Sequence, residues 1–166
     1  MQKISLPKAS QLTSPNPLVL VCTLSPDGET NLAAVSWWTY LSYSPGMIAY
    51  AMAKTSYSGE RARETRKAVL AVPGKDIADA VLGCGSTTGR DTDKVKKFGV
   101  EMQQLPGSDI RVPKHSRVAI LCDVKEYIEA GDHYLYICNV NEVYGEEAEE
   151  ALFAWKGYAQ LRPARK

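Results

Sequence analysis

Residues 31–59 constrain the fold more than any other stretch. Asn31-Leu-Ala-Ala-Val-Ser36-Trp37-Trp38 and Met47-Ile-Ala-Tyr-Ala-Met-Ala53 are apolar runs of strand length, separated by a segment that turns at Ser44-Pro45-Gly46. The second run ends abruptly in Lys54-Thr55-Ser56-Tyr57-Ser58. From Tyr57 to Lys67 the composition changes to Glu, Arg and Ala, which favours helix, with Ser56 or Ser58 as N-cap. A strand that delivers a lysine and several hydroxyls to a helix start builds an anion site, because the first-turn amides have no intrahelical acceptor. The small residues Ala33 and Ala34 let a flat ligand approach the backbone of the strand beside it. In a regular strand Trp37 and Trp38 face opposite sides, one free to pack on a ligand and the other to fill the core.

The flanking chain is strand-rich. Residues 18–24 form a compact apolar run, read as a buried strand, and Asp27-Gly28 turns it back into residues 31–38. Residues 68–72 predict a short strand, stopped at Pro73-Gly74. Asp76 to Leu82 has helical spacing with Gly83 as its stop, and a further short helix is expected from Asp91 to Phe98, ended by Gly99. Residues 118–126 and 133–144 are β-prone and meet at Ala130-Gly131-Asp132, which predicts a second hairpin. Glu146 to Trp155 reads as a helix or a polar connection, and residues 155–161 as a final short strand. This order lacks the βαβ alternation of a doubly wound sheet. It predicts a mainly β, Greek-key antiparallel barrel with helices at its edge, spanning residues 1–166 as one domain.

Other features narrow the function. The net charge of +1 makes no electrostatic case for nucleic acid or a membrane surface. No apolar run is long enough to span a bilayer, and the first residues lack the apolar core of a signal peptide, so a cytoplasmic location is expected. Cys22, Cys84, Cys122 and Cys138 form no C-x-x-C pair and are expected as buried, reduced thiols, with a Cys122–Cys138 redox pair as the alternative. His115 and His133 are the only histidines, so no zinc site is expected. Gly83-Cys-Gly85-Ser-Thr-Thr-Gly89 nearly matches a dinucleotide fingerprint, but its third glycine is one position late and it follows a helical segment. No nucleophile elbow or paired-carboxylate arrangement is present, and His133 has no aligned acid or nucleophile; its alternatives are a polar hairpin tip or a contact to a cofactor or a nicotinamide.

Several motifs recur in order from Asn16 to Leu161. They are Pro15-Asn16-Pro17, Asp27-Gly28, Asn31 to Trp38, Ser44-Pro45, Lys54-Thr55-Ser56, Ser86-Thr-Thr-Gly89-Arg90-Asp-Thr-Asp-Lys94, Gly131-Asp132-His133 and Trp155-Lys-Gly-Tyr158-Ala-Gln-Leu161. In this the chain resembles the flavin reductase-like proteins with an FMN-binding split barrel, flavoredoxins included. The resemblance implies a homodimer with FMN near the subunit interface, FAD being the alternative flavin. It implies cofactor contacts from Asn31, Ala34, Val35, Ser36 and Trp37, and places Lys54, Thr55, Ser56 and Ser58 at the phosphate. Thr88, Gly89, Arg90 and Lys94 would lie near the cofactor. The implied activity is electron transfer from NAD(P)H through the flavin to free flavin, a metal complex or a protein. The alternatives are a flavoredoxin-like carrier without NAD(P)H activity and a non-catalytic ligand-binding barrel. Two positions depart from the family pattern: Ala71 stands where an asparagine is usual, and Lys54 replaces a frequent arginine, keeping the charge without the bidentate fork.

Overall fold

The computed structural model describes residues 1–164. A seven-stranded antiparallel sheet dominates it. In chain order its strands are β2 (Val19–Leu24), β3 (Thr30–Val35), β4 (Trp38–Tyr43), β5 (Gly46–Ala53), β6 (Lys67–Pro73), β9 (Ser116–Ala130) and β10 (His133–Gly145), and across the sheet the order is β3-β2-β6-β9-β10-β5-β4. Helix α1 (Leu6–Leu12) and the two-residue strand β1 (Asn16–Pro17) precede them. Between β5 and β6 lies α2 (Tyr57–Thr65), and between β6 and β9 lie α3 (Ala78–Ser86), α4 (Lys94–Lys97) and a small ribbon of β7 (Met102–Gln103) and β8 (Val112–Pro113). Strands β11 (Leu152–Trp155) and β12 (Gln160–Pro163) finish the chain and pair with β1 as a separate three-stranded sheet.

Strands β3 and β4 are adjacent in sequence yet occupy opposite edges of the sheet. Flat, a seven-stranded sheet would hold its edges about 29 Å apart, at roughly 4.8 Å per strand step. Ser36 and Trp37, the two residues between them, reach only about 7–10 Å. The sheet must therefore curl until its edges nearly meet, and the result is a barrel split along the β3/β4 seam. The continuous strand expected over 31–38 thus breaks at Ser36-Trp37, because the chain changes edge there.

Strand β2 shows why residues 18–24 lack alternation. Leu18, Leu20 and Cys22 join one buried cluster, with Leu32, Val69, Val81 and Cys84. Val19 and Val21 join another, with Ile48, Tyr50, Leu70 and Tyr136. Both faces are buried, one inside the barrel and one under α3 and α4, so both sets of positions are apolar. Tyr50 and Tyr136 stack with ring centroids 4.8 Å apart within the second cluster.

The helices differ from expectation at their ends. Ser56 caps α2, taking the Gly59 amide at 3.2 Å, and Arg66 ends it in the left-handed conformation at φ 58°, one residue before β6 begins. Gly83 does not stop α3, which continues to Ser86; a Cβ there would lie 2.4 Å from the Phe98 ring, so this glycine serves close packing. Asp93, not Asp91, caps α4, its carboxylate accepting from the Lys96 amide at 3.0 Å. The acidic segment after β10 is a polar connection that leads into β11, and the last strand, β12, begins later than expected. Helix α1, capped by Ser5 with Pro7 in its first turn, was not expected and buries none of its residues.

Candidate functional site

The seam opens into a cleft of about 570 Å³, within the range of cofactor sites, about 300–1,000 Å³. Three stretches that the sequence marked out converge there. Ala33 to Trp37 form one wall, Ala51 to Ala53 with Thr55 to Ser58 a second, and Cys84 to Gly89 with Lys94 a third. Ser10, His133 and Tyr158 close the rim. Alanines on strands β3 and β5 leave the walls flat, and the Trp37 carbonyl accepts the Ala51 amide at 2.8 Å, extending the β4–β5 ladder to the seam. Trp37 stands 56% exposed at the mouth, its ring 5.0 Å from that of His133, whereas Trp38 packs partly buried against the barrel core. The two tryptophans thus divide between cleft and core.

At the α2 side, Thr55, Ser56 and Ser58 line the cleft. Lys54 does not; its ammonium is tied to Glu129 at the far end of β9 and sits 5.7 Å over the Tyr134 ring. Asn31 lies behind the wall, 5% exposed, with its side-chain amide donating to Ser58 Oγ at 2.6 Å. Its Oδ1 is buried without a donor, and a Cβ at Gly89 would fall 1.9 Å from it. Gly89 is therefore the residue that fits against Asn31, and Asn31 positions Ser58 from below.

At the α3–α4 side, Thr88, Gly89 and Lys94 line the cleft and Arg90 does not. Arg90 lies 5.3 Å over the Tyr57 ring and bonds Glu60 at 2.7 Å. That bond holds the Glu60 carboxyl below its usual range and pushes the Arg90 guanidinium further up. Lys94 is buried, only 4% exposed, and its ammonium donates to the carbonyls of Leu32 at 2.7 Å and Cys84 at 3.0 Å. Burial lowers the Lys94 pKa, opposed only by the nearby Cys84. The Cys84 thiol is itself pushed up to about 11 by burial, so it is neutral at ordinary pH.

All four cysteines are buried free thiols; Cys122 and Cys138 lie side by side on β9 and β10, and their contact, with burial, raises the Cys122 pKa. His133 Nδ1 lies 2.7 Å from Asp132 Oδ1, and this bond lowers the Asp132 pKa. His115 lies away from the cleft, its Nδ1 3.0 Å from Glu149, and with Asp76 the three donor atoms lie within 4.8 Å of one another, a proximity that sequence spacing did not show. Residues that sequence reasoning passed over include Cys84 and Gly85, seen only as a failed fingerprint, and Ser10, which only tertiary folding brings to the rim. No helix of the described residues is long and apolar enough to cross a membrane.

Comparison with known proteins agrees with this architecture. The flavin reductase like domain matches residues 12–162, so the chain belongs to that family. A flavin reductase of Pseudomonas putida is 28% identical over 144 residues, covering 86% of this chain and 81% of the relative. Two solved structures share the split-barrel fold at a TM-score of 0.84. One is an FMN-binding protein from Thermus thermophilus, 20% identical, covering 100% of this chain and 95% of its own. The other is the flavoredoxin of Desulfovibrio vulgaris (Miyazaki F), 19% identical, covering 99% and 94%.

Proposed function

We propose that this chain is an FMN-binding oxidoreductase that carries electrons from NAD(P)H to free flavin, a metal complex or a protein acceptor. The observation that carries this reading is the flat-walled cleft at the barrel seam, with the hydroxyl-rich start of α2 opening into it. The residues present fit a planar ring with an anionic tail. Small side chains leave room for the ring between β3 and β5, and Trp37 gives it an apolar edge. The tail would lie against Thr55, Ser56, Ser58 and the free amides of the first turn of α2, and Lys54, adjacent to Thr55 in the chain, would join it on release from Glu129. Among the alternatives, FAD would extend past this phosphate end. A bound flavin supplies the hydride-accepting and electron-donating chemistry, so the chain needs no acid–base pair of its own.

A homodimer is part of the proposal. Edge strand β4, which follows Trp37 at the cleft mouth, exposes Tyr40, Leu41 and the 92%-exposed Tyr43. An aromatic edge of this kind is what a second copy would cover. The four unpaired thiols support a reducing, cytoplasmic setting.

The test is the anaerobic visible spectrum of FMN-loaded, desalted protein before and after NADH or NADPH, with light scattering on the same sample. A retained flavin band that bleaches, on a particle of twice the chain mass, is expected. A retained band that stays unbleached would replace the reductase with an electron carrier. No retained band would remove flavin as a resident cofactor, and a flavin-loaded monomer would remove the dimer.

A further inference from the structure

We propose that Lys94 is a fixed internal cation through which the cleft holds the reduced, more negative form of its cofactor more tightly than the oxidised form. The inference rests on the FMN reading above and concerns what one buried side chain does to it.

Three cations were candidates for the cleft, and the structure treats them differently. Lys54 is neutralised by Glu129 and Arg90 by Glu60. Lys94 has no carboxylate partner among the described residues; its bonds go to two main-chain carbonyls. Asp93, next to it in sequence, is occupied in capping the Lys96 amide. The neighbouring Cys84 thiol is neutral and balances nothing. The net charge facing this part of the cleft is thus one uncompensated ammonium.

Its geometry holds that charge in the cleft wall. An ammonium carries three N–H donors and no acceptor. Two are spent on Leu32 and Cys84, which fixes the group between β3 and the end of α3 in the wall of the cleft, and the third has no acceptor among the described residues. With only 4% of the residue exposed, water screens the charge weakly, so its interaction with a ligand exceeds that of a surface lysine. Burial also destabilises the ammonium, as its lowered pKa shows, and an anion in the cleft would offset that cost. Reduction adds negative charge to a flavin ring, and charge beside the ring is one of the means by which a protein tunes its potential. A cation acts most on the state with more negative charge, so Lys94 favours reduction.

The experiment titrates oxidised FMN and dithionite-reduced FMN separately into the full-length protein, anaerobically, for wild type, Lys94→Gln and Lys94→Arg. Gln carries two amide N–H donors on a side chain one bond shorter and removes the charge; Arg keeps the charge. Wild type is expected to bind reduced FMN more tightly than oxidised. Lys94→Gln should lose about tenfold in affinity for reduced FMN while losing less than about threefold for oxidised FMN, equivalent to about 15–30 mV for a two-electron couple. Lys94→Arg should retain the wild-type ratio. Equal losses in both oxidation states would make Lys94 only a brace between β3 and α3 and overturn the inference. Wild-type protein that binds reduced FMN no more tightly than oxidised overturns it without any variant, which decides the matter if neither variant folds. Wild-type protein that binds FMN in neither state would overturn the functional reading first, and this inference with it.

Discussion

The start of α2 and the α3–α4 segment form two sides of one cleft, and each brings a lysine that the sequence assigned to the cofactor. Lys54 lies at a strand end, a third exposed along its side chain, and its charge is met by Glu129. Lys94 lies in the wall, nearly closed off from water, and its charge is met by carbonyl oxygens alone. The same residue type is a replaceable surface charge in one place and part of the interior in the other. Solvent makes the difference: it screens the first and cannot reach the second. The α2 side is thus suited to take up and release an anionic tail, and the α3–α4 side to hold a constant field.

The largest effect that would break this contrast is on stability. Lys94→Ala leaves two buried carbonyls without their donor and opens a void, and should cost about 3 kcal/mol in urea unfolding. Lys54→Ala should change stability by less than about 0.5 kcal/mol. Similar costs for the two would show that burial does not separate them. The next effect is on ligand choice. Lys54→Ala should weaken FMN about tenfold and leave riboflavin unchanged by calorimetry, since only FMN carries the phosphate. Equal losses for both ligands would remove Lys54 from the phosphate end. The smallest effect sharpens the role of Glu129. Glu129→Gln frees Lys54 and should tighten FMN by about threefold, with riboflavin again unchanged, because an exposed ion pair is worth little. Weaker FMN binding in this variant would mean that Glu129 positions Lys54 instead of competing for it.

Much of the fold was legible because it rests on local chemistry. Gly28, at φ 84°, turns β2 into β3 where Asp27-Gly28 predicted. The Gly131-Asp132 turn lets β9 and β10 run as a long hairpin, and Ser56 caps α2 at the end of β5. The errors fall where distant residues decide. Gly83 reads as a helix stop until Phe98 is seen against it, and Asp91 and Asp93 are equally good caps until the chain enters α4. Residues 31–38 read as one strand because nothing in their alternation marks a change of sheet edge at Ser36-Trp37.

The site divides in the same way. Thr55, Ser56, Ser58, Thr88 and Gly89 were found by motif and do line the cleft. Asn31 was found as a contact but stands one layer back, holding Ser58, and Lys54 and Arg90 were found as cations whose carboxylate partners lie 75 and 30 residues away. By itself the sequence determined the strand runs, their turns, the hydroxyl-rich helix start and the residue types available to a ligand, since these depend on neighbours a few positions apart. The closing of the barrel, the meeting of three segments at its seam and the opposite fates of Lys54 and Lys94 were decided only in the tertiary structure. Burial and pairing are properties of the space around a side chain, and that space is assembled from strands and helices far apart in the chain.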